Sequence, residues 1–243
     1  MQNVQDEIVT LQNIIDKSNR IVFFGGAGVS TESGIPDFRS ADGLYNQKYL
    51  VPPEVILSHS YFKKHTDEFF RFYKDKMLCL TAKPNAAHKK LAELEAAGKL
   101  LGIVTQNIDG LHQSAGSKCV YELHGSVYRN HCTRCGKFYD VSAVVESNGV
   151  PHCDCGGVIK PDVVLYEEPL DDKTVTGAVE AIAKADALII AGTSLTVYPA
   201  AGLIRYFNGD NLILINRAET SADNAADVII RQNVGEVFSK ISV

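Results

Sequence analysis

Apolar residues recur at helical spacing through residues 4–18, at Val4, Ile8, Leu11 and Ile14-Ile15, with polar residues between them. That spacing predicts an amphipathic N-terminal helix. The pattern then changes to an unbroken apolar run, Arg20-Ile21-Val22-Phe23-Phe24, closed by Gly25-Gly26-Ala27-Gly28. It reads as a buried strand entering a tight turn. Helical spacing returns at 67–77 and 84–97, with Pro84 suited to a first turn and Gly98 to an exit. Further strands are predicted at 101–105, 119–123, 163–166, 187–191, 212–215 and 228–230, with helices at 171–184, about 199–207 and the C-terminus. Short β-rich runs alternating with helices imply a parallel sheet covered on both faces. Ligands of such sheets bind beyond the carboxyl ends of the strands. Residues 126–160 break the alternation and read as one insertion; residues 42–78, rich in Tyr and Phe, read as a second, helical one.

Composition adds constraints. With 24 Lys+Arg against 29 Asp+Glu, the net charge is −5, which disfavours a broad phosphate-neutralising face. No run approaches the ~20 apolar residues of a membrane span. The first residues carry no basic stretch followed by an apolar one, so the expectation is a cytoplasmic protein. Four of the six cysteines, Cys132, Cys135, Cys153 and Cys155, fall together, the two knuckles separated by seventeen residues. Two knuckles of this kind suit one tetrahedral Zn²⁺ with no open position, a structural site. The second knuckle is C-x-C rather than C-x-x-C, and the alternative is four buried or disulfide-bonded cysteines. Cys79 and Cys119 read as core fillers.

Several strand ends carry polar chemistry. Gly26-Ala27-Gly28-Val29-Ser30 suggests a dinucleotide pyrophosphate held against backbone amides and a helix N-terminus. However, Thr31 stands where a dehydrogenase fingerprint has its third glycine, so an ordinary hydride-transfer enzyme fits less well. Asp37, Phe38 and Arg39 follow in a loop able to cover a ribosyl–base bond. Gln106-Asn107-Ile108-Asp109 leaves the 101–105 strand with side chains suited to ribose hydroxyls or a carboxamide. His124 ends the 119–123 strand at the same edge, where an imidazole near neutrality can accept a hydroxyl proton. Thr193-Ser194 and Asn216-Arg217 end two later strands and offer small donors to an adenosine. His59, His65, His88 and His112 are given structural or solvated roles.

Taken together, Gly26-Ala27-Gly28-Val29-Ser30, Gly34-Ile35-Pro36-Asp37-Phe38-Arg39, Thr105-Gln106-Asn107-Ile108-Asp109, Leu123-His124-Gly125, the four cysteines, Gly192-Thr193-Ser194 and Val197-Tyr198-Pro199 resemble a bacterial sirtuin over nearly the whole chain. The resemblance implies an α/β fold with a Rossmann-like parallel-sheet domain (1–41, 79–125 and 161–243), a helical insertion (42–78) and a zinc-ribbon insertion (126–160). It implies an NAD-dependent protein lysine deacetylase, with NAD as co-substrate, acyl-lysine proteins as partners and one structural Zn²⁺. In that family the acyl oxygen attacks C1′ of the nicotinamide ribose and expels nicotinamide. His124 then acts as base, and the products are free lysine, nicotinamide and 2′-O-acyl-ADP-ribose.

By the same resemblance Ala27, Thr31, Phe38, Arg39 and Gln106 contact NAD. Ile35, Asp37, Asn107, Ile108 and Asp109 form the nicotinamide pocket, with Asn107 and Asp109 joining His124 in catalysis. Thr193, Ser194, Asn216, Arg217, Arg231 and Gln232 serve the rest of the dinucleotide. Val163, Val164, Leu165 and Tyr166 are expected to pair with the substrate backbone as a strand, with Val197 also on the substrate side. Glu167-Glu168 stands where the family usually has Gly-Glu, and the added carboxylate is expected to favour basic sequences. Tyr73-Lys74-Asp75-Lys76 lacks the arginine of acidic-acyl-removing members, so acetyl or short neutral chains are expected. An NAD-dependent ADP-ribosyltransferase and a zinc-ribbon nucleic-acid module remain the alternatives, though no direct nucleic-acid contact is expected.

Overall fold

The computed structural model describes residues 4–38, 43 and 50–243. In chain order the helices are α1 (Val4–Lys17), α2 (Pro53–Ile56), α3 (His59–Lys64), α4 (Thr66–Lys76), α5 (Ala86–Ala96), α6 (Leu111–Ser114), α7 (Ser142–Val145), α8 (Asp172–Lys184) and α9 (Val234–Phe238). The strands are β1 (Ile21–Gly25), β2 (Leu100–Thr105), β3 (Val120–Glu122), β4 (Gly125–Cys132), β5 (Phe138–Tyr139), β6 (Ile159–Val163), β7 (Ala187–Ala191), β8 (Asn211–Ile215) and β9 (Val228–Ile230).

Six strands form one sheet in the order β3-β2-β1-β7-β8-β9, and every pairing is parallel. The chain winds outward from β1 in one direction and from β7 in the other, so the order reverses between those two strands. Such a switch point opens a crevice beyond the carboxyl ends. The unbroken apolar runs have a direct cause. Ile21 and Phe23 of β1 pack with Leu11, Leu91 and Phe238 on one face, whereas Val22 and Phe24 pack with Ile182, Leu188 and Leu203 on the other. Both faces are dry, so a strand here has no polar side. Each such fully buried aliphatic or aromatic side chain contributes about 1.5–3 kcal/mol.

Helix termini follow local chemistry. Asp171 caps α8 by accepting from Thr174 N–H at 2.8 Å, and Asn85 caps α5 by accepting from Ala87 N–H at 3.0 Å. The helix expected from Pro84 therefore begins at Ala86, because Asn85 holds an extended cap conformation. Residues 200–206 are a 3₁₀ helix rather than an α-helix.

A second, antiparallel sheet, β5-β4-β6, carries the cysteines, and its β4 follows directly from β3 through Leu123-His124. Gly125 makes that junction possible: its φ is +74°, and a Cβ there would lie 1.7 Å from Asp162 O. Helices α2–α4 pack their aromatic face, Phe62, Phe69, Phe70, Phe72 and Tyr73, together with Val127, Val163 and Leu165. The helical segment and the antiparallel sheet thus share one core. The expected strand at 163–166 is corrected here: β6 runs from Ile159 and ends at Val163, and β4 is a strand that the hydrophobic pattern does not predict.

Candidate active site

The carboxyl ends of β1, β2, β3, β7 and β8 converge on a cavity of about 680 Å³, walled on its far side by the β6–α8 segment. That is where the parallel sheet places its unusual residues. Ala27, Gly28, Thr31, Ile35, Asp37, Phe38, Gln106, Asn107, Ile108, Asp109, His124, Thr193, Ser194, Asn216, Arg217 and Gln232 all line it. Val163, Val164, Leu165, Tyr166 and Val197 line the same space. Arg39 lies outside the described residues.

His124 has a defined tautomer. Its Nδ1 lies 2.9 Å from Gln106 O. A carbonyl only accepts, so Nδ1 carries the hydrogen and Nε2 keeps the lone pair. Burial pushes the His124 pKa below its ordinary 6.5, against an opposing pull from the Gln106 carbonyl. The ring is therefore neutral near pH 7, with Nε2 as a proton acceptor.

Next to it, three side chains form one polar unit. Ser30 Oγ–H donates to Asp109 Oδ2 at 2.6 Å and accepts from Asn107 Nδ2 at 3.1 Å. Asn107 N–H donates to Thr105 Oγ1 at 3.0 Å, and Leu111 N–H donates to Asp109 Oδ1 at 2.9 Å. Both Asp109 oxygens are thus fixed before any ligand arrives. Gln106 is held from two sides: its N–H donates to Gly25 O, and its Oε1 accepts from Thr193 Oγ1 at 3.2 Å. Its Nε2 is buried with no partner among the described residues. A buried amide donor facing no acceptor is costly, and a ligand carbonyl or hydroxyl would satisfy it.

Most amides of the glycine turn are already engaged. Gly26 N–H donates to Ala191 O, Gly28 N–H to Gly192 O at 2.8 Å, Val29 N–H to Gly26 O and Ser30 N–H to Ala27 O. Those four amides are engaged inside the protein, whereas Ala27 N–H has no partner among the described residues and Ala27 lines the cavity. The glycines serve close packing of the β1 and β7 turns: a Cβ on Gly28 would lie 2.8 Å from Gly192 Cα. Gly26 accordingly does not line the cavity. The chain continues from Gly26 into two 3₁₀ turns, Ala27–Val29 and Thr31–Ser33, with no α-helix to supply a macrodipole.

Arg231 is also corrected. Its guanidinium is taken up by Asp223 and by the carbonyls of Asn216 and Ala218, so it braces the loop after β8 and does not line the cavity. The substrate segment is partly engaged as well: Val164 N–H donates to His124 O at 3.0 Å and Tyr166 N–H to Leu57 O at 3.0 Å. Cys79 and Cys119 are half-buried rather than core fillers, and Cys79 lies on the cavity wall.

Away from the cavity, the sulfurs of Cys132, Cys135, Cys153 and Cys155 all lie within 4.8 Å of one another. Cys132 and Cys155 are 3.4 Å apart, and Cys135 and Cys153 are 3.6 Å apart. These separations exceed an S–S bond of ~2.05 Å and approach the ~3.8 Å edge of a tetrahedron with Zn–S near 2.3 Å. The donor set fits one closed, structural Zn²⁺.

Some lining residues carry little signal in the sequence. Ser30 is visible as the last residue of the glycine motif, yet its role as the bridge between Asn107 and Asp109 requires strands β1 and β2 to be neighbours. Tyr128, whose ring packs against Gly110, and Lys76 also line the cavity and have no signal beyond residue type.

The Sir2 family profile matches residues 26–199. An NAD-dependent protein deacetylase of Clostridium perfringens is 61% identical over 242 residues, covering 98% of this chain and 99% of that protein. One from Staphylococcus aureus strain Mu50 is 46% identical, covering 98% and 99%. Among solved structures, a Sir2 complex with a p53 peptide and NAD⁺ is 39% identical, with a TM-score of 0.84 over 95% of each chain. Sir2Tm bound to a propionylated peptide is 38% identical, with a TM-score of 0.85 over 96% of each. The chain therefore belongs to the Sir2 family.

Proposed function

We propose that this chain is an NAD-dependent protein lysine deacetylase whose chemistry is run from His124 Nε2. The single observation that carries the reading is the His124–Gln106 hydrogen bond, which leaves the acceptor nitrogen at the rim of a cavity lined by Asn107 and Asp109. The residues fit the dinucleotide: buried Gln106 Nε2 lacks a partner among the described residues, and the fixed Asn107–Ser30–Asp109 unit offers an amide and a carboxylate side by side. Bound NAD supplies a ribose carbon carrying a good leaving group, nicotinamide.

Around it, Ile35, Asp37, Phe38, Asn107, Ile108 and Asp109 would hold the nicotinamide end, with Phe38 shielding the reacting bond from water. Thr193, Ser194, Asn216, Arg217 and Gln232 would hold the adenosine end. His124 would take the proton of a ribose hydroxyl, making that oxygen the acceptor of the acyl group. A base of this kind contributes about 10²–10⁴-fold. The acyl-lysine of a protein substrate would enter past Val164, Leu165 and Val197. Tyr73 is buried in the aromatic core, and Lys76, which lines the cavity, pairs with Asp75 at 3.0 Å and lacks the bidentate fork of an arginine, which supports acetyl and short neutral chains over acidic ones. No described helix is long and apolar enough to cross a membrane, and we place the enzyme in the cytoplasm.

The decisive assay follows an acetyl-lysine peptide with and without NAD, by peptide mass and nicotinamide release, for the native chain and His124→Ala. Loss of the acetyl group only with NAD, and almost none in the variant, is expected. A mass gain on the target protein would instead mean ADP-ribosyl transfer. Full turnover by His124→Ala would remove the base from its role.

A further inference from the structure

Beyond Val163 the backbone is engaged nearly residue by residue. Val164 N–H donates to His124 O, Leu165 N–H to Glu168 Oε2 at 2.9 Å, and Tyr166 N–H to Leu57 O, while Tyr166 O accepts from His59 N–H at 2.9 Å. Glu168 N–H returns to Leu165 O. Glu167 is the first residue of this cavity wall with neither main-chain group partnered among the described residues, so a substrate backbone can attach there.

Glu167 is also held in an uncommon way. Its φ is +74°, a left-handed conformation that is unfavourable for a residue with a Cβ. Its carboxylate is drawn onto the start of α3, where Oε2 accepts from Ser60 N–H at 2.9 Å and from Ser60 Oγ–H at 2.6 Å. Both donors are neutral, so they orient the carboxylate without cancelling its charge. The adjacent Glu168 differs: Lys160 Nζ lies 3.0 Å from its Oε2 and His59 Nδ1 lies 2.8 Å from its Oε1. Of two neighbouring carboxylates, one has a lysine ammonium hydrogen-bonded to it and the other has only neutral donors. Lys64 and His59 reach Glu167 only through longer-range attraction, and together with the Ser60 bonds they keep its carboxyl below the usual carboxylate range. An exposed, oriented negative charge with no cation hydrogen-bonded to it therefore sits on the cavity wall between Tyr166 and Glu168.

Resting on the deacetylase reading, we propose that Glu167 is a specificity-determining residue that selects acyl-lysine substrates carrying a cationic side chain next to the acyl-lysine. The discrimination is electrostatic and exposed, which sets its size and its salt dependence. An exposed ion pair is weak and salt-screened, and a like charge repels comparably. Replacing a flanking Arg by Glu thus corresponds to about a three- to tenfold change in kcat/KM.

The test uses two acetyl-lysine peptides that differ only in flanking Arg against flanking Glu, with NAD saturating, at about 20 mM and about 500 mM salt. For the native chain, the Arg peptide is expected to be preferred about three- to tenfold at low salt, mainly through KM, with the preference shrinking at high salt. Glu167→Gln retains an acceptor for Ser60 but removes the charge, and its preference is expected to fall to near one. Glu167→Gly, which suits the left-handed backbone, is expected to lose the preference in the same way. An unchanged preference in both variants, or a native preference indifferent to salt, would overturn the proposal. Equal turnover of both peptides by the native chain would likewise remove the role of Glu167 while leaving the deacetylase reading intact. If neither peptide lost its acetyl group with NAD, the deacetylase reading itself would fail.

Discussion

The parallel sheet and the cysteine-bearing sheet reach stability by different means. The first buries two aliphatic layers, with Leu11, Phe23, Ile103, Ile189 and Phe238 fully or nearly fully enclosed on one side alone. The second has only three strands, and its own apolar cluster is little more than Cys132, Cys153 and Ile159, supplemented by the aromatic face of α2–α4. Burial per residue falls as a folded unit shrinks, so a small sheet needs a cross-link where a large one does not. The active site lies along the seam: His124 sits on the connection from β3 to β4, with its ring anchored to the end of β2. Chemistry placed at such a junction depends on both solutions at once.

Substitutions in the two sheets and at their seam should differ in kind as well as in size. His124→Ala should lower turnover by about 10²–10⁴-fold while leaving the melting temperature almost unchanged, since the ring contributes chemistry rather than the bulk of either core. Turnover and calorimetry on the same preparation check it. Phe23→Ala, in the aliphatic layer, should cost about 3–5 kcal/mol in urea unfolding, with the whole sheet destabilised together. Cys132→Ser should abolish stoichiometric zinc and loosen the small sheet, producing a separate low-temperature transition, while the parallel sheet still melts cooperatively. Metal analysis with calorimetry would show it; a single unshifted transition would mean that the thiolates are dispensable.

Ser30→Ala tests the unit that joins the glycine turn to β2. Losing a donor to Asp109 and an acceptor for Asn107 should cost about 1–3 kcal/mol of NAD recognition, or roughly five- to 150-fold in kcat/KM for NAD. Smallest is the pH response. His124 must be neutral to accept a proton, and burial lowers its pKa, so kcat/KM should rise with pH to a plateau, with its acid limb below 6.5. Separately, buried His88 and His112, held down to about 4 and about 3, bind protons only in the unfolded chain across this range. Their contribution to stability is present above 6.5 and is lost as pH falls from there toward 4. Equilibrium unfolding at several pH values checks that sign.

Much of the fold is legible in the chain because strands buried on both faces leave unbroken apolar runs: Ala187-Leu188-Ile189-Ile190-Ala191 is a strand over that same stretch. The second sheet leaves little trace. Gly125–Cys132 alternates too irregularly, GSVYRNHC, to announce itself, and its β6 partner is far away in sequence. At the site, residue types and strand-end positions point to Asn107, Asp109 and His124, whereas Gly26 and Arg231 mislead for opposite reasons. A glycine needed for backbone packing resembles one needed for an anion, and an arginine with internal acceptors looks like any other arginine.

By itself, the sequence determined the alternation of strands and helices, the four thiolates and the set of side chains at the strand ends, since local pattern and residue chemistry act over a few positions. Only the tertiary structure decided which nitrogen of His124 stays free, that the Gly26 and Gly28 amides are already engaged, and that Glu167 is turned onto Ser60 without a counter-charge hydrogen-bonded to it. Each of those outcomes is a hydrogen bond between residues distant in sequence or between adjoining turns, and the geometry of such a bond exists only after the chain has packed.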